Sequence, residues 1–246
     1  MHQVDLIVRV DPADSTKLDI GFFENGEVVY PNLVNQAELG SGGVTNATDD
    51  PGFESLNGTY TPGTVLSIDF LGATRVWDGE DFDGFSELPL NVFQGRTVAT
   101  TSMVSNERVV GPALGEANAF GRIHEHASFY FLAPGETLQG IWLLPFELYT
   151  SDGLTSEPLF FVVHQLADET EIEAALAWTT QNRVAPCRDT DVDASGSSDY
   201  FDVVALLDDY FRPDAATLTA DVDRDLDNDA DDLSAFVARL AEPCDD

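Results

Sequence analysis

Short apolar runs alternate with turn-forming clusters along about the first two thirds of the chain. The runs are rich in β-branched and aromatic residues, and the clusters consist of Gly, Pro, Asn and Asp. This pattern is typical of an antiparallel all-β sandwich. It predicts the strands VDLIVRV, KLDIGFF, EVVYPNL, TVLSIDFL, TRVW, RTVATTSMV, HEHASFYFL, IWLLPFELY and PLFFVVHQ. Asn25-Gly26 favours a tight turn, so KLDIGFF and EVVYPNL are expected to form a hairpin.

The hydrophobic pattern changes to a helical one at residue 168. Residues 168–180 combine Ile172, Leu176 and Trp178 with good helix formers and with acids in the first turn. We expect this helix to pack on the sandwich as a lid. The predicted organisation is a β-sandwich domain over 1–182, a linker over 183–189 and a small domain over 187–246.

Composition indicates a globular and strongly acidic protein. Of the 246 residues, 43% are hydrophobic, which is enough for a sizeable core. The chain has 45 acidic and 11 basic residues and a net charge of -34. Such a field repels phosphate backbones and anionic lipids, so nucleic acid is not expected as a partner. No apolar run is long enough for a membrane span.

Acidic residues recur at fixed spacing in the last 60 residues or so of the chain. The segment 191–202 reads DVDASGSSDYFD, and 221–232 reads DVDRDLDNDADD. Oxygen ligands at loop positions 1, 3, 5, 7, 9 and 12 are what a calcium loop supplies. The first predicted site comprises Asp191, Asp193, Ser195, Ser197, Asp199 and Asp202, and the second comprises Asp221, Asp223, Asp225, Asp227, Asp229 and Asp232. The alternative is an acidic, solvated face without metal.

Each acidic loop precedes a helical pattern, DVVALLDDYF in the first repeat and DLSAFVARLA in the second. This doubled loop-helix unit resembles a dockerin, and in particular the cysteine-flanked dockerin tails of planctomycete secreted proteins. The resemblance covers residues 187–244 and implies calcium-dependent docking to a cohesin-like receptor on a scaffold or cell surface. The second loop has Leu226 where dockerins usually have glycine. A left-handed residue there costs about 1–2 kcal/mol, so we expect the second site to be the weaker.

The docking residues that the resemblance implies differ between the two repeats. At loop positions 10 and 11 the first repeat has Tyr200 and Phe201, whereas the second has Ala230 and Asp231. Aromatic anchors dominate many interfaces. We therefore expect docking through the first repeat alone, unless both aromatic rings belong to the core.

The two cysteines, Cys187 and Cys244, bracket the acidic tail, and each follows a proline. A disulfide between them would join the two ends of the tail, at a gain of about 4 kcal/mol in the chain-entropy model. The alternative is a pair of unrelated buried thiols. Because disulfides persist in oxidising compartments, we expect a secreted or cell-surface protein whose signal segment is not part of this sequence.

The residues upstream of the tail carry no catalytic signature. The chain has no G-x-S-x-G, no H-E-x-x-H and no phosphate-binding glycine loop, which favours a role other than catalysis. The segments DDPGF, RVWDG, HEH and EPLFFVV are similar to a family of secreted planctomycete and cyanobacterial surface proteins without an established activity. A carbohydrate-binding or carbohydrate-active module is an alternative, which an exposed aromatic platform at Trp77 or Trp142 would favour.

Histidine is scarce, and two of the four histidines stand at His124 and His126 in one predicted strand. Side chains two residues apart in a strand lie on the same face, which suits chelation of one ion. That face continues through Ser128 and Tyr130. With His2 as a further ligand, the pair forms a candidate site for zinc or copper. The alternative is a hydrogen-bonded structural pair.

Together these patterns predict an extracellular protein with an all-β sandwich, a lid helix and a small α-helical calcium-binding domain. The first hypothesis is a surface or scaffold module that docks through its calcium-dependent tail while the sandwich binds an unidentified ligand. The second is a zinc-binding or copper-binding protein. The third is a carbohydrate module with a polysaccharide partner.

Overall fold

The computed structural model describes residues 5–24, 27–101, 107–133, 135–184, 192, 200–211, 221–222 and 230–241. Within these residues the strands are β1 Leu6–Val10, β2 Lys17–Glu24, β3 Glu27–Val29, β4 Val34–Glu38, β5 Ala47–Thr48, β6 Phe53–Glu54, β7 Val65–Phe70, β8 Arg75–Val76, β9 Gly84–Phe85, β10 Leu90–Gln94, β11 Thr97–Thr100, β12 Val109–Glu116, β13 His124–Glu125, β14 Ser128–Phe131, β15 Gly140–Thr150, β16 Thr155–Ser156 and β17 Leu159–Gln165. The helices are α1 Glu169–Thr179, α2 Tyr200–Tyr210 and α3 Ala230–Ala241.

The strands form one large and one small sheet, which confirms the prediction of a β-rich fold. The large sheet runs β12-β7-β15-β16-β2-β1-β6-β13, and the small sheet runs β11-β10-β14-β5. Most pairs are antiparallel, but β1–β6, β16–β2 and β17–β4 are parallel. The expectation of a purely antiparallel arrangement is therefore wrong. Each of the three parallel pairs joins strands that are distant in the sequence, and a local pattern does not indicate how such strands pair.

The two sheets share one hydrophobic core. Phe129 of β14 packs edge-on against Phe161 of β17, with ring centroids 5.0 Å apart. Phe131 of the same strand packs against Trp142 of β15 at 4.9 Å. The side chains of β14 therefore alternate as predicted, with the phenylalanines in the core and Ser128 and Tyr130 on the opposite face.

Helix α1 covers a second, smaller apolar cluster on the large sheet. Asp168 caps the helix by accepting a hydrogen bond from the backbone N–H of Thr170. Trp178 packs against Phe82 and Trp77, so the helix lies on this apolar cluster. The helix continues as a π-helical turn to Val184. Among the described helices, none is both long and apolar enough to cross a membrane.

Several strands differ from the sequence-based expectation. The pattern missed the longer strands β4, β10 and β12 and the two-residue strands β5, β6, β9 and β16. Strand β12 contains a Gly-Pro pair, which argues against a central strand, but it lies at the end of the sheet order, where proline is tolerated. The predicted strand HEHASFYFL is two strands, because the chain passes from the large sheet to the small sheet between β13 and β14. The predicted hairpin forms, with Glu24 opposite Glu27.

The tail repeats its buried positions at an interval of thirty residues. Its apolar cluster consists of Val192 and Leu206 from the first repeat and Val222 and Phe236 from the second. The two repeats thus place equivalent residues in one small core. Asp202 and Asp232, also thirty residues apart, are both buried near the start of their helices.

Candidate metal centre

Asp5, His124 and His126 meet at one end of three neighbouring strands. Strand β6 lies between β1 and β13, with Leu6 opposite Phe53 and Phe53 opposite Glu125. Strand β1 is parallel to β6 and β13 is antiparallel to it. Asp5, which precedes β1, and His126, which follows β13, therefore lie at the same end of the three strands. The backbone N–H of Leu6 donates to the carbonyl of Gly52 at 2.8 Å, and this bond helps to fix the register of β1 against β6.

The potential ligand atoms of the three side chains lie close together. The two Nε2 atoms are 3.3 Å apart. Nε2 of His124 is 3.5 Å from Oδ2 of Asp5, and Nε2 of His126 is 3.8 Å from Oδ1. Each of the three residues offers one ligand atom, and the three atoms all lie within 4.8 Å of one another. Both imidazoles are more than one-third exposed, so an ion can enter from solvent.

The backbone orients the ring of His126. Its Nδ1 lies 2.9 Å from the carbonyl oxygen of Asp49. Since a carbonyl oxygen only accepts hydrogen bonds, this contact places the proton on Nδ1 and leaves the lone pair of Nε2 facing Asp5 and His124. This is the tautomer that binds a metal through Nε2, and such outer contacts are common among metal-ligating histidines.

His124 is flanked by charged groups. Its Nδ1 lies 3.9 Å from Oε1 of Glu54 and 3.3 Å from the guanidinium of Arg122, which forms an ion pair with Glu54. Only the guanidinium is within hydrogen-bond distance of Nδ1, which accepts from it in this arrangement. Binding of a metal at Nε2 requires the proton on Nδ1, and therefore a small movement of the His124 ring from Arg122 toward the carboxylate of Glu54.

Gly52 leaves the space in which these side chains meet. A Cβ atom at this position would lie 2.6 Å from Cε1 and 2.7 Å from Nε2 of His126, and 2.8 Å from Oδ1 of Asp5. All three contacts are shorter than carbon atoms tolerate. A side chain at residue 52 would therefore displace the two ligands rather than the strand backbone.

The sequence predicted part of this site. His124 and His126 lie together as expected, with ring centroids 5.4 Å apart. His2, the third predicted ligand, lies outside the described residues. Asp5 was missed because nothing in the sequence distinguishes one carboxylate among 45 acids. Its position only three residues after His2 was the available signal.

The predicted calcium loops are described only at a few positions. Asp202, Asp221 and Asp232 are buried. One carboxylate oxygen of Asp232 accepts a 2.6 Å hydrogen bond from the backbone N–H of Val222. The other predicted ligands lie outside the described residues; these are Asp191, Asp193, Ser195, Ser197, Asp199, Asp223, Asp225, Asp227 and Asp229. Cys187 and Cys244, the predicted disulfide partners, lie outside them as well.

The predicted docking residues are the first two residues of α2. Tyr200 is 72% exposed and Phe201 is 64% exposed, and their rings contact each other edge to face. The alternative that both rings belong to the core is therefore wrong. By contrast, Trp142 is buried, and Trp77 donates from its indole to Glu171 of the lid helix. Neither tryptophan forms the exposed platform that the carbohydrate hypothesis expects.

The sequence matches no model of a known protein family. It also matches no curated protein. The resemblance of the tail to dockerins, and of the upstream region to secreted surface proteins, therefore stays a prediction that rests on the motifs quoted above.

Proposed function

We propose that this protein binds zinc or copper through Asp5, His124 and His126. The observation that carries the proposal is the convergence of two imidazole nitrogens and one carboxylate at a single point on the surface. Imidazole nitrogen suits zinc and copper, whereas a site of oxygen atoms alone suits calcium and magnesium. The two histidines would thus select a transition metal on a chain that is rich in carboxylates.

The spacing of the ligand atoms supports a four-coordinate ion. Ligands about 2.0–2.1 Å from a tetrahedral zinc ion lie about 3.3–3.4 Å from each other. The observed separations of 3.3, 3.5 and 3.8 Å are close to that value. Small rotations of the Asp5 carboxylate would complete the fit. Three ligands leave one position open, which His2 would occupy from three residues before Asp5.

Replacing Gly52 tests the proposal without removing any ligand. Gly52→Ala should weaken zinc binding by about tenfold, the size of effect seen when ligand orientation is disturbed. Thermal stability should change little, because the ends of His126 and Asp5 can move away from the new methyl group. The measurement is zinc titration of calcium-saturated protein, in which the tail acids are already occupied.

Gly42→Ala is the matched control. A Cβ atom at Gly42 would meet only Oδ1 of Asp49, at an ordinary 3.7 Å. This variant should bind zinc as wild type does. Failure of the wild type to bind zinc and copper, or equal binding by Gly52→Ala, would contradict the proposal.

The tail supports a second function, calcium-dependent docking of the dockerin type, as the sequence predicts. Two observations favour it. Equivalent residues of the two repeats share one small core, and Asp202 and Asp232 are buried at position 12 of their predicted loops. The exposed rings of Tyr200 and Phe201 would form the contact with a cohesin-like receptor or surface scaffold, and α3 has Ala230 and Asp231 instead. The protein would then be held outside the cell, with the metal site on its β-rich part.

Removal of calcium tests the docking proposal. Residues 187–246 contain eighteen acids and four arginines, so their repulsion should unfold the tail when calcium is chelated. A thousandfold excess of calcium over its Kd stabilises by about 4 kcal/mol, which corresponds to a Tm shift of at least about 10 °C in a small domain. Thermal melts followed by circular dichroism measure this shift. Identical melts with calcium and with chelator would refute calcium binding, and Asp202→Ala should reduce the shift.

A further inference from the structure

A cavity of about 910 Å³ opens on the outer face of the small sheet, and the proposed metal site does not include it. Its floor is β14, and its walls are the turn before β5 and the loop after β14. The described residues that line it include Val44, Thr48, Asp49, Phe93, Tyr130 and Glu136. The volume is in the range of small-molecule sites.

The cavity is held open by hydrogen bonds from Asn46, which is buried in its wall. The side-chain amide of Asn46 donates to the carbonyl of Glu136 at 2.8 Å, and its oxygen accepts from the N–H of Leu138 at 2.9 Å. The backbone carbonyl of Asn46 accepts a hydrogen bond from the backbone N–H of Phe131 at 3.0 Å. Three bonds from one side of the cavity to the other make the site preformed, which lowers the entropy cost of binding.

Two aromatic residues of the floor stand on the same face of neighbouring strands. Phe93 of β10 is opposite Ser128, and Tyr130 is two residues further along β14 on the same face. Diagonal neighbours across an antiparallel pair are within reach of aromatic side chains. Phe93 is 41% exposed, although a phenylalanine on a sheet face is normally covered. The floor thus offers two aromatic side chains to a ligand.

The charged residues that line the cavity are all acidic. Asp49 and Glu136 supply carboxylates, and none of the described lining residues is basic. The chain around it carries a net charge of -34. The field at the cavity therefore attracts cations and repels anions. Ring faces add to this preference, since aromatic quadrupoles attract cations, and quaternary ammonium groups most of all when they are enclosed by several rings.

We infer that this cavity binds an organic cation with an apolar body, of the quaternary ammonium class. The ammonium group lies over Phe93 and Tyr130, the carboxylates of Asp49 and Glu136 balance its charge, and the apolar body contacts Val44 and Leu132. This inference does not rest on the metal site. It assigns a small-molecule ligand to the β-rich part of the protein.

Calorimetric titration of the metal-free protein with benzyltrimethylammonium tests the inference. The double variant Phe93→Ala, Tyr130→Ala should bind about tenfold more weakly, since each of two partly exposed cation–ring contacts is worth about two- to fivefold in affinity. Glu136→Gln should bind about threefold more weakly, with less dependence on salt. Phe120→Ala removes an aromatic ring that lies outside the cavity and is more exposed than Phe93, and this variant should bind as wild type does.

The charge requirement is tested with choline and with 3,3-dimethyl-1-butanol, the neutral compound in which carbon replaces the nitrogen of choline. Choline should bind and the neutral compound should not. Equal binding of both, absence of binding by either cation, or unchanged binding by the double variant would overturn the inference. Displacement of the cation by a neutral oligosaccharide would assign the cavity to sugars instead. An unchanged circular dichroism spectrum and Tm of the double variant show that it is folded.

Discussion

Replacing both histidines with alanine, in His124→Ala, His126→Ala, should abolish zinc and copper binding at the surface site. Loss of a single outer-shell contact typically costs 10- to 100-fold in metal affinity, so loss of two of three ligands should cost more than about a hundredfold. Calcium-saturated protein is titrated with each metal. The variant should keep the wild-type Tm without metal, because both side chains are more than one-third exposed.

Two further variants make this result specific. Asp5→Asn keeps the size of the third ligand and removes its charge, so it should weaken binding less than the double variant does. His164→Ala removes a histidine of β17 outside the cluster and should leave zinc binding unchanged. If wild type and the double variant take up equal zinc and copper, the histidine pair is structural and another part of the chain holds the metal.

Replacing Arg183 with methionine should destabilise the protein by about 3–5 kcal/mol, the cost of breaking a buried ion pair from one side. NH1 of Arg183 donates to Oδ2 of Asp221 at 3.1 Å, and both side chains are at most 2% exposed. The pair joins the turn after α1 to the tail. Arg75 lies in the same region, where burial and then the charge of Arg183 lower its pKa to about 10. Arg183→Met leaves Asp221 buried without this guanidinium.

The control for Arg183 is the exposed pair of Lys17 and Glu157. Lys17→Met should cost no more than about 1 kcal/mol, as is usual for surface ion pairs. Urea melts with excess calcium compare the two variants. Equal costs for Arg183→Met and Lys17→Met would show that the tail does not pack on the turn after α1 in solution.

The sequence was sufficient to predict those elements whose signal is local. The run PLFFVVHQ became β17, IWLLPFELY became the long strand β15, and the pattern at 168–180 became α1. The histidine pair was found because histidine is scarce and because strand periodicity places alternate side chains on one face. The exposed rings of Tyr200 and Phe201 were found from their positions in a repeated motif.

Features that depend on contacts between distant segments were not predictable in this way. The proposed metal site requires Asp5, residue 52 and His126 to meet across three strands, and no local pattern records that meeting. Nothing in the segment DDPGF indicates that Gly52 leaves the space in which the side chains of Asp5 and His126 meet. The parallel pairing of β4 with β17 brings together residues more than one hundred positions apart.

The central claim is that Asp5, His124 and His126 hold a transition metal, and zinc-edge anomalous diffraction tests it most directly. Crystals of calcium-saturated protein are soaked in zinc, and anomalous maps are recorded on both sides of the zinc edge. The account predicts a zinc peak at the end of β1, β6 and β13, about 2.0–2.2 Å from Nε2 of both histidines and from an oxygen of Asp5. A zinc peak only among the acids of the tail, or no peak beside His124 and His126, would contradict it.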